Sequence, residues 1–110
     1  MKKAVDWYNS IMFSLAREHH SIGTKLSENT DGWNIRDMVS EVQYTIDLYE
    51  DPGCRYWDAA HDETQPRENG VGVWYKEWRN IIARMKRFVA QYKDEALTME
   101  CVSSHHSKYD

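Results

Sequence analysis

The chain is poor in cysteine, proline and glycine, with two, two and five in 110 residues. Cys54 and Cys101 make no disulfide framework, and that scarcity is the usage expected in a reducing cytosol. No stretch approaches the ~20 consecutive apolar residues of a membrane-spanning helix. A secretory leader is not expected, because Met1-Lys2-Lys3 is followed by Asp6, Asn9 and Ser10 where an unbroken apolar run would stand. Internal repeats, low-complexity segments and a heptad run long enough for a coiled coil are also missing. Strong net charge is absent: the formal value is −4, which argues against generic nucleic-acid binding by the whole molecule and leaves a local basic patch open.

What the chain does have is aromatic bulk. Five Trp, seven Tyr and two Phe supply a core for one domain over 1–110. Aromatics bury roughly 150–250 Å² each, so a few suffice at this size. The stretch from Trp74 to Tyr92 organises the rest. Its apolar residues Trp74, Trp78, Ile81, Ile82, Met85, Phe88, Val89 and Tyr92 fill one stripe at about 100° per residue, the mark of a helix docked on a core. That pattern predicts a helix over 73–97. A second helix is predicted over 34–50, capped by Asn34 with Asp37 in its first turn, its core stripe being Ile35, Met38, Val39, Val42, Ile46 and Tyr49. A third covers 4–20, with Val5, Tyr8, Met12, Leu15 and Ala16 inward and Ile11 at the margin. Trp7 and Phe13 lie off that stripe, as scattered exposed apolars or as contacts to a second layer.

Residues 21–32 read as a loop with a turn at Asp31-Gly32, and Pro52-Gly53 ends the 34–50 helix. A short helical element is expected near 55–61, a polar surface loop from Asp62 to Gly72, and a mobile tail over 100–110. The expected fold is therefore an all-α bundle of three main helices with a short fourth element.

Charge is distributed unevenly along this bundle. From Lys76 to Lys93, six bases and one acid give +5, leaving −9 for the remainder of the chain. Arg79, Lys86 and Lys93 are seven apart and line one edge of the long helix, with Lys76 and Arg87 further round. From Asp37 to Glu63, eight acids and one base give −7. Within the 34–50 helix, Asp37, Glu41, Tyr44 and Leu48 form a stripe opposite the core, mixing acids with apolar groups. The two charged faces either pair with each other inside the chain or meet a partner. Exposed pairs contribute only ~0.2–1 kcal/mol each, so internal pairing would set docking register more than stability. Phosphates or an acidic partner would suit the basic face, and a basic groove on another protein would suit the acidic stretch.

Signals for chemistry are weak. Asn69-Gly70-Val71-Gly72 precedes a helix, but no Gly-Lys-Ser/Thr accompanies it and no strand comes first. Cys54, Asp58 and His61 would share a helix face if the stretch after Gly53 were helical, and three such ligands can bind metal. Cys101 and the pairs His19-His20 and His105-His106 have no ligand spacing. Nothing places Cys54 beside a base and an orienting group. The expectation is no catalysis, no cofactor and no metal, with a small metal-dependent enzyme as the outlying alternative.

Two patterns resemble a known group. Trp33, Arg36, Asp37, Met38, Val39, Glu41, Tyr44 and Tyr49 make W-x-x-R-D-M-V-x-E-x-x-Y-x-x-x-x-Y, and Trp78, Arg79, Lys86, Arg87, Phe88, Val89 and Tyr92 make W-R-x₆-K-R-F-V-x-x-Y. Together they resemble short, uncharacterised helical accessory proteins carried by phages, prophages and mobile elements of Gram-positive gut bacteria. The match covers roughly half the chain, on its two best helices, and its residues are mostly of core type. The group has no established activity. Its context implies a non-enzymatic protein in the cytoplasm of a bacterial host, binding a host macromolecule and perturbing a defence nuclease in the anti-CRISPR or antirestriction manner. The expected partner-binding residues are Asp37, Glu41, Tyr44, Asp47 and Leu48 on the acidic side and Arg79, Lys86 and Arg87 on the basic side. Nucleic-acid binding by the basic face of the 73–97 helix is the alternative, and Trp7, Phe13, Tyr44 and Leu48 make self-association a further expectation.

Overall fold

A computed structural model describes residues 2–18, 32–53, 61–64, 66 and 74–102. Among them stand three α-helices and no β-strand: α1 (Lys2–Glu18), α2 (Ile35–Tyr49) and α3 (Tyr75–Ala96). The all-α bundle follows. Apart from His61, the element expected near 55–61 lies outside the described residues, as do 103–110 of the tail.

Each helix has a local cause. At α2 the Asn34 side chain accepts the Asp37 backbone N–H at 3.0 Å, and the Asp37 carboxylate accepts the Asn34 N–H at 2.8 Å. This reciprocal capping box satisfies two amide donors that a helix start would otherwise leave open. Gly32, two residues before the cap, has φ +85°, the left-handed region that favours glycine. The far end of α2 closes through the Glu50 N–H to the Ile46 carbonyl and the Gly53 N–H to the Asp51 carboxylate.

The long helix α3 is central, with α1 and α2 both packed on it. Trp78, Ile81, Ile82, Met85 and Phe88 form its buried stripe. Ile35, Met38, Val42, Ile46 and Tyr49 of α2 meet it on one side, and Ala4, Tyr8, Ile11, Met12 and Leu15 of α1 complete the core. The α1 stripe is thus turned from the expected one. Ile11 is fully buried instead of marginal, and Val5 is only partly buried, because the inward row runs Ala4, Tyr8, Ile11, Leu15.

That rotation brings Trp7 inward as well. Its ring meets Phe88 at 5.6 Å and Tyr92 at 6.0 Å, both edge-on, the arrangement that ring quadrupoles favour. Phe13 stays 69% exposed.

Contacts fix the helix directions. The C-terminal end of α2 meets the middle of α3 through Glu50 and Lys86, while its start meets the chain just after α3. The early residue Trp7 of α1 lies on Tyr92, and the later residues Ser10 and Ser14 bond Arg84. Both α1 and α2 therefore run antiparallel to α3.

The chain beyond α3 is tied down at its start. Met99 and Glu100 carbonyls accept from Arg36 (2.9 Å) and the Asn34 side-chain amide (2.7 Å), and the Val102 N–H donates to Asp37 at 3.3 Å. Residues 100–102, expected to begin a mobile tail, instead close over the first turn of α2.

Candidate partner-binding surface

The basic face of α3 divides into committed and uncommitted cations. Arg84 reaches across to α1, donating to the hydroxyls of Ser14 (2.9 Å) and Ser10 (2.8 Å). Two donors of one planar guanidinium thereby fix α1 in register on α3. Lys86 pairs with Glu50 at 3.0 Å. The Lys86 hydrogen bond holds the Glu50 carboxyl below its ordinary range, opposed by desolvation and helped to a smaller degree by the nearby charges of Lys86 and Arg79. With side chains 56% and 41% exposed, this pair stabilises by no more than ~1 kcal/mol. Lys76, Arg79, Arg87 and Lys93 are exposed, and among the described residues none forms an ion pair. Partial internal pairing is thus the answer to the charge asymmetry: Lys86 has turned inward to the acidic segment, while Arg79 and Arg87 face solvent.

The acidic side differs from expectation. Asp37 is 0% exposed and Glu41 4%. Asp37 is drawn in by the capping box and by the Val102 amide, and Glu41 sits one turn further along the same flank. Neither offers a surface charge, so both are corrected from partner contacts to interior groups. The spacing that placed Asp37 opposite the core could not reveal that the Val102 amide, from the chain after α3, bonds it. Leu48 is half-buried, Tyr44 half-buried and Asp47 exposed, with Asp47 accepting from the Gln43 amide at 2.8 Å.

Tyr44 and Asp47 belong to a groove of about 420 Å³ between the outer face of α2 and the C-terminal half of α3. Its walls are apolar at Val39, Val89, Ala96 and Leu97, and charged at Arg36, Asp47 and Lys93. Leu97 is 74% exposed. The sequence did not mark Arg36, Ser40 or Gln43 as partner contacts, although their spacing with Asp47 (36, 40, 43, 47) is that of one helix face, half-buried at Arg36 and Ser40 and exposed at Gln43 and Asp47.

Nothing here assembles chemistry from the expected ligands. Cys54 and Asp58 lie outside the described residues, and so do the Asn69–Gly72 turn and both His pairs. Among the described residues no three His, Cys, Asp or Glu side chains converge on one point, and no helix is long and apolar enough to cross a membrane. Cys101 is a free thiol whose sulfur lies 3.7 Å from the Ser40 hydroxyl.

Comparison with protein-family models, curated proteins and solved structures finds no match for this chain.

Proposed function

We propose that this chain is a non-enzymatic binding protein that holds a macromolecular partner through the exposed cations of α3. The observation that carries this reading is the division on that helix. Arg84 and Lys86 are engaged within the chain, while Lys76, Arg79, Arg87 and Lys93 stand exposed without ion pairs among the described residues. Exposed cations on a rigid helix recognise carboxylates or phosphates, Arg by bidentate contact and Lys as a point charge. The resemblance of the α2 and α3 patterns to phage and mobile-element accessory proteins makes a host protein, such as a defence nuclease with an acidic surface, the first partner to try.

The same four cations favour nucleic acid as the second reading. The two are separated by salt. Binding of DNA or RNA through about four phosphate contacts falls with a log–log slope near −3 to −4. A protein interface of mixed character falls less steeply. Capture on immobilised chain from host lysate, with and without nuclease treatment, and in parallel with Arg79→Glu/Arg87→Glu, tests the reading. A retained partner lost on the double reversal carries it; a retained set indifferent to the reversal contradicts it.

A further inference from the structure

We infer that the outer face of α2 pairs with the same face of a second copy of the chain, antiparallel about a two-fold axis between Ser40 and Gln43. The face is the row Arg36, Ser40, Gln43 and Asp47, which follows alternating steps of four and three on one side of the helix. In an antiparallel pair centred midway, Arg36 falls opposite Asp47 of the second copy, and Ser40 opposite Gln43. The two-fold repeats both contacts. A self-complementary surface of this kind, in which residue i meets j and j meets i, is what an isologous dimer requires.

The side chains are placed for it. Asp47 is exposed and among the described residues makes no ion pair; its Oδ1 accepts from Gln43 at 2.8 Å, leaving Oδ2 open. Arg36 is half-buried and uses one guanidinium nitrogen on the Met99 carbonyl, at 2.9 Å, which steadies the group while its other donors stay uncommitted among the described residues. The row opens on the α2–α3 groove, whose rim carries Val89 and the 74% exposed Leu97. A second helix laid along the row would therefore cover apolar surface as well as exchange charge. A charged pair in a helix–helix seam fixes register and direction, since a one-step slip separates Arg36 from Asp47 and a parallel pairing sets Arg36 against Arg36 and Asp47 against Asp47.

Arg79 and Arg87 lie outside this face, and of the four cations of the proposed function only Lys93 borders its groove, so reversal at Arg79 and Arg87 tests the one reading and reversal at Arg36 or Asp47 the other. A dimer would present two such edges and raise avidity for an extended acidic partner.

Sedimentation velocity of the full chain over a concentration series is the test. Wild-type chain is expected to dimerise by about 0.1 mM, within the range of weak specific association. Asp47→Arg alone and Arg36→Glu alone each bring like charges together twice and are expected to weaken self-association at least tenfold. Mixed in equal amounts, the two variants restore both pairs and form a heterodimer. Wild-type chain that stays monomeric overturns the inference, as does a dimer untouched by either reversal or a mixture that does not recover. If Arg36→Glu loses its fold through the Met99 bond, seen by circular dichroism, Asp47→Arg decides: dimer lost upholds the inference and dimer kept overturns it.

Discussion

Replacing Asp37 by Ala removes the carboxylate that accepts the Asn34 N–H at 2.8 Å and the Val102 N–H at 3.3 Å. Both amides are partly buried, so each is left short of an acceptor at the low end of the ~1–3 kcal/mol cost of an unsatisfied buried group. The two together give a loss of about 2 kcal/mol. For a domain of this size 1 kcal/mol moves the melting temperature by roughly 4 °C or more, so Tm should fall on the order of 10 °C. Urea denaturation measures the loss directly, and hydrogen exchange at Val102 shows whether the chain after α3 has come away from α2. Asp47→Ala, measured well below the concentration of self-association, is the internal control: an exposed acid whose one bond among the described residues is to Gln43 should change stability by no more than ~0.5 kcal/mol. If Asp37→Ala costs no more than Asp47→Ala, Asp37 is not the anchor described and the expectation of a surface acid returns.

Arg84→Met should loosen α1 at a cost of about 1–2 kcal/mol in denaturation, because Ser10 and Ser14 lose a charged donor. Trp7→Ala should cost about 2–3 kcal/mol through its contacts with Phe88 and Tyr92, whereas Phe13→Ser, at an exposed site, should stay within ~0.5 kcal/mol. Lys86→Ala should lower stability by no more than ~1 kcal/mol and move the Glu50 carboxyl back up towards its ordinary titration range, read by side-chain NMR. The sign for pH follows from the depressed carboxyl. The Glu50 contribution is complete above its unfolded-state pKa of about 4.3 and is lost as pH falls through the lower folded value, a dependence that Lys86→Ala should flatten.

The helices were legible because each carries a clean 3.6-residue apolar period, and the α2 cap because Asn34 and Asp37 have capping-box spacing. Ile11 was set at the margin because Met12 and Val5 are also apolar and pull the apparent stripe round by a fraction of a turn, while Trp7 takes the second-layer contact that its place off the stripe left open. Of the residues expected on the surface, the bases were the most legible in their exposure. Arg79 and Arg87 are long, local and exposed, so helical spacing placed them well. Asp47 is exposed as its spacing implied, but Asp37 was misread because it bonds Val102, more than sixty residues away in a segment without periodicity of its own. The same separation hid the groove, whose two walls come from α2 and from α3. Lys86 was half-readable: its partner Glu50 lies in the acidic stretch, but only the antiparallel packing of α2 on α3 brings the two together.

The central claim is that the uncommitted cations of α3 hold an acidic partner. Quantitative capture from bacterial lysate on wild-type chain and on Arg79→Glu/Arg87→Glu tests it most directly, with circular dichroism confirming that both are folded. The account predicts a retained component that the reversal removes and that moderate salt weakens. Equal retention by both chains, or none by either at low salt, would contradict it.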